Sequence, residues 1–69
     1  MAKRRRDLLA LRAIVVSGRA ALLKTPDADG RAQVKKRILE LLVELEEGLI
    51  RDGADAEVLA LVKDAHREF

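Results

Sequence analysis

Cysteine is absent from the 69 residues, so no disulfide and no thiolate metal site can form. Tryptophan and tyrosine are absent too, and Phe69 is the only aromatic side chain. That removes the stacking platforms that hold single-stranded nucleic acid and the aromatic anchors of many protein interfaces. Proline occurs once, at Pro26, and the longest uninterrupted apolar run is Val58–Val62, far short of the ~20 residues of a membrane span. An excess of either charge is also missing. Lys and Arg number 14 and Asp and Glu 12, and this balance does not by itself demand a polyanionic partner.

What is present argues for one small helical domain. The hydrophobic fraction of 49% excludes a disordered polyelectrolyte, although 38% of residues are charged. A chain of this length has no room for a second core, so residues 1–69 form a single domain. Met1–Arg6 followed by Leu8–Leu11 superficially resembles a signal peptide, and Arg5-Arg6-Asp7-Leu8-Leu9 loosely resembles a twin-arginine signal. Arg12 and Arg19 interrupt the apolar stretch at helical spacing, where a leader's apolar region is uncharged. The expectation is a soluble, uncleaved protein, cytoplasmic or recombinant, with no membrane partner.

The clearest periodicity lies between Val34 and Ile50. Val34, Ile38, Leu41, Leu45 and Leu49 recur at steps of three and four and share one helix face, which Leu42 widens. Gln33, Arg37, Glu40, Glu44, Glu47 and Arg51 line the opposite face. Three helices are predicted, over residues 3–23, 27–52 and 56–68. In the first, Leu8, Leu11, Val15 and Leu22, extended by Ile14 and Gly18, form one stripe. Leu9, Ala13, Val16, Ala20 and Leu23 form a second on the other side of the cylinder. Arg5, Arg12 and Arg19 divide the two along one edge. The β-branched run at Ile14 and the mid-helix Gly18 weaken this helix, Gly18 by ~1 kcal/mol relative to Ala. A break at Ser17-Gly18 is one option; an unbroken helix in which Gly18 admits a close neighbour is preferred. In the third helix Val58, Leu61, Val62, Ala65 and Phe69 mark the buried face.

Lys24–Gly30 is a connection in which Thr25 (with Pro26 as first helical residue), Asp27 and Asp29 are rival caps. Its DADG stretch resembles the start of a calcium loop but lacks the later carboxylates. Gly53 can end the second helix in the left-handed conformation, and Asp55 is the expected cap of the third. Short connections predict an all-α, antiparallel up-down-up three-helix bundle. Arg4–Arg6 would then come alongside Glu44–Glu47.

Chemistry has little to work with. His66 is the only histidine, and Ser17 and Thr25 are the only hydroxyl side chains. Nothing in the spacing pairs them, and Glu44, Glu46 and Glu47 read as a solvated face. No enzyme, metal site or cofactor is expected. Ile38–Leu42 fits an IxxLL variant of the LxxLL docking box, but those residues are needed for the core. At 1.5 Å per residue the first two helices reach roughly 30–37 Å and the third about 20 Å. The short helix either leaves apolar surface bare or tilts across the groove to cover it. The candidate interface is Leu9, Ala13, Val16, Ala20 and Leu23 with Leu39, Val43 and Ile50, facing a protein partner or a second copy. The alternative is polyanion contact through Lys3, Arg4, Arg5 and Arg6. Nucleic acid is the less expected partner, because no recognition-helix pattern accompanies that charge.

In overall style the chain resembles computationally designed (de novo) three-helix-bundle mini-proteins: near-complete helicity, short capped loops, no Cys or Trp and a Leu/Ala/Val core. Gly18, Gly48, the β-branched run at Ile14 and the arginine run depart from that style. The resemblance implies a scaffold or binding module without chemistry of its own.

Overall fold

The computed structural model describes residues 2–69, with side chains from Arg4 onward. Three helices, α1 (Ala2–Lys24), α2 (Ala28–Arg51) and α3 (Ala56–Glu68), form an up-down-up bundle of 40 × 17 × 15 Å. α1 is unbroken through Ser17-Gly18. Gly18 is buried against α2, where an added Cβ would lie 2.7 Å from Ile38 Cδ1 and 2.9 Å from Ile38 Cγ1. The residue that weakens the helix intrinsically therefore lets its neighbour approach.

Local chemistry decides each helix end. Of the three rival caps Asp27 is used: its Oδ2 accepts from the Gly30 N–H at 2.9 Å. Thr25 instead donates its Oγ1 to the Ala21 carbonyl, and Arg31 donates to the Leu22 carbonyl, both at 2.8 Å. Carbonyls left over at the end of α1 are satisfied this way. α2 ends in a Schellman arrangement, with Gly53 at φ 72, its N–H on Ile50 O and the Ala54 N–H on Leu49 O. Asp55 departs from expectation. It holds the cap position of α3, but its side chain makes no capping bond and its carboxylate lies 3.8 Å from Arg4 Nε.

Leu11, Ile38, Leu42, Leu49, Val58, Val62 and Ala65 form the core, with Leu8, Ile14, Val15, Leu22, Val34 and Leu45 packed around it. Leu42, which by periodicity only widens the α2 face, is fully buried at the centre. Burial of such a side chain is worth ~2–3 kcal/mol. Leu61 corrects the reading of α3, being 47% exposed. The buried line of this short outer helix runs through Val58, Val62 and Ala65, and Leu61 falls on its flank.

The Gly18–Ile38 contact also corrects the expected charge pairing. Both helices rise equally per residue, so moving equally far from that contact brings Arg4 level with Asp52. Glu44–Glu47 come level with Leu9–Arg12 instead. Among the described residues no ion pair joins Arg4–Arg6 to Glu44–Glu47. Arg4 pairs with Glu57 at the start of α3, and Arg19 with Glu68 at its end, at 2.8 Å. α3 thus lies alongside α1 from Arg4 as far as Arg19.

Candidate interaction surface

Helical periodicity that sends Leu8, Leu11, Val15 and Leu22 inward must send a second set outward, and on α1 that set is also apolar. Leu9 is 57% exposed, Val16 56% and Leu23 87%, with Ala13 and Ala20 exposed between them. These five residues run along the side of α1 away from the core. Large side chains left bare in a line are the feature that distinguishes this surface, because isolated exposed apolar residues are ordinary.

The stripe is a ridge between two grooves. On one side Ala13, Ser17 and Ala21 of α1 face Val34, Arg37, Ile38 and Leu41 of α2 across a groove of about 430 Å³. On the other, Val16 and Arg12 face Leu61, Asp64 and Glu68 of α3 across one of about 410 Å³. Leu61 belongs to this second groove. A stricter count of the α3 periodicity, centred on Val58 and Val62, would have placed it at the edge.

The α2 members of the predicted interface do not join the ridge. Leu39 and Val43 line a third groove with Ala32, Lys35, Lys36, Glu40 and Phe69, and none of the described α1 side chains lines it. Ile50 is exposed near the end of α2. The polyanion candidates divide as well. Arg4 is engaged by Asp55 and Glu57, Arg5 and Arg6 are exposed, and the Lys3 side chain lies outside the described residues.

His66 is exposed in the last turn of α3. Among the described residues no group of three His, Cys, Asp or Glu side chains could hold a metal ion. Among the described residues no helix is long and apolar enough to cross a membrane. Comparison with protein-family models, curated proteins and solved structures finds no match.

Proposed function

We propose that the chain is a non-enzymatic interaction module, or a scaffold of the designed kind it resembles, whose working surface is the outward face of α1. The observation that carries this reading is the line of Leu9, Val16 and Leu23 on the side of α1 away from the core. Hydrophobic burial is the dominant favourable term in most protein association, and this line is apolar area the fold itself leaves in water. Engagement of Arg4 by Glu57 of α3 and by Asp55, which precedes that helix, supports a protein partner over phosphate contact, since it occupies one of the four cations of the basic run.

Light scattering across a concentration series tests whether the partner is a second copy. Val16→Glu combined with Leu39→Lys tests the surfaces. Val16 is exposed and Leu39 half-buried, so the double variant is expected to lose self-association or partner binding with a modest drop in its unfolding midpoint. Unchanged stability together with unchanged association in every assay rules the surfaces out.

A further inference from the structure

The outward stripe of α1 carries more than hydrophobicity. Leu9, Ala13, Val16, Ala20 and Leu23 alternate at steps of four and three, the spacing by which two helices interlock in a coiled coil. In heptad terms Leu9, Val16 and Leu23 occupy d and Ala13 and Ala20 occupy a. Arg5, Arg12 and Arg19 then all fall at g, the position whose charge selects partner and orientation in such pairs. The opposite edge, position e, holds Ala10, Ser17 and Lys24. No carboxylate occurs at a, d, e or g from Arg5 to Lys24. Arg19 is held by Glu68, and Asp64 faces the same groove as Arg12. Arg5 and Arg12 themselves make no ion pair among the described residues.

We propose that the outward face of α1 packs against an acidic amphipathic helix of a separate protein, with Leu9, Val16 and Leu23 as the seam and Arg5 and Arg12 as the edge that reads charge. This rests on the interaction-module reading above and names the partner's chemistry. Charge complementarity selects that occupant. A second copy offering the same stripe would set Arg against Arg in an antiparallel pair, or against Ala, Ser and Lys in a parallel one, and would gain no ion pair between the two α1 helices. Val43 and Ile50 of a second copy do lie near Glu40 and Glu47. That contact would bury the α1 stripe of one copy against a different face of the other, so it does not use the stripe as a seam between two α1 helices. A membrane surface suits the stripe less well: alanine alternates with the larger side chains, and the only aromatic residue, Phe69, lines a different groove.

The test uses the full chain and a labelled synthetic three-heptad peptide with Leu at a and d and Glu at e and g, read by fluorescence anisotropy. A second peptide carries Lys in place of Glu. The Glu peptide is expected to bind at least tenfold tighter than the Lys peptide, with affinity falling as salt rises. Arg5→Glu with Arg12→Glu should invert that preference, and Val16→Glu should weaken both peptides more than tenfold while thermal unfolding stays unchanged. Equal affinity for the two peptides, or no inversion, overturns the acidic-helix assignment while leaving a binding face. Binding to vesicles containing phosphatidylserine but to neither peptide overturns it in favour of a lipid surface. A dimer in sedimentation that dissociates on Val16→Glu overturns it in favour of self-association. If Val16→Glu alters no binding at all, the interaction-module reading falls with it.

Discussion

At Gly18 two opposing effects can be separated. A methyl added there gains up to ~1 kcal/mol of helix propensity but meets Ile38 Cδ1 at 2.7 Å inside the core, and overpacking of this kind costs about 1–3 kcal/mol. Gly18→Ala is therefore expected to destabilise, by up to about 2 kcal/mol in urea unfolding. Ile38→Val removes the clashing Cδ1, so the same substitution should cost less in that background, with a coupling of at least ~0.5 kcal/mol. Additive behaviour would show that close approach is not what Gly18 provides. Gly48 supplies the control: it is helical and an added Cβ meets nothing within 4 Å. Gly48→Ala should stabilise by roughly 0.5–1 kcal/mol.

Among the elements, the two aspartates at helix starts look alike in sequence and differ in structure. The Asp27 carboxylate accepts a backbone N–H and the Asp55 carboxylate accepts none. Asp27→Ala should cost about 1 kcal/mol, and Asp55→Ala less than half of that, since its exposed pairing with Arg4 is the kind worth little. Equal losses on thermal unfolding would contradict this difference. The helices were legible in the sequence because the period of Val34–Leu49, and of both α1 stripes, survives every polar interruption. Which of Thr25, Asp27 and Asp29 caps α2 was not legible, since all three carry a suitable oxygen and only backbone geometry chooses. The ion pairs were hidden for a related reason. They depend on the sliding register of two helices, and that register is set by a contact between a residue with no side chain and one 20 positions away. The α1 half of the candidate surface could be read because its members share one helix. Its connection to Leu39 and Val43 could not, since that depends on how each helix is rotated about its own axis.

For the molecule as a whole, stability is small relative to single core residues. A domain of this size typically has ~3–10 kcal/mol in total. Leu42→Ala, at the fully buried centre, should remove 2–5 kcal/mol and leave a substantial unfolded fraction at 37 °C by circular dichroism. Leu23→Ala removes a comparable side chain from the surface and should move the midpoint by no more than about 0.5 kcal/mol equivalent. A large loss from Leu23→Ala would show that the ridge is part of the fold rather than surplus to it. The bundle is also uneven in length. α3 has 13 residues against 23 and 24 in its neighbours, so it covers one side of a hairpin longer than itself.

A helix apolar on two sides can dock in two ways. Turned half a revolution about its axis, α1 would offer Leu9, Val16 and Leu23 to α2 and α3 and leave Leu8, Leu11, Ile14, Val15 and Leu22 in water, exchanging a larger set of aliphatics for a smaller one. Hydrophobicity therefore favours the native docking, by about the burial of two large side chains. Gly18 adds a steric preference of the same sign, because Ile38 sits where a Cβ at position 18 would be. A single missing side chain thus works with the larger apolar face to orient the helix, and filling it would oppose the docking that the larger face favours.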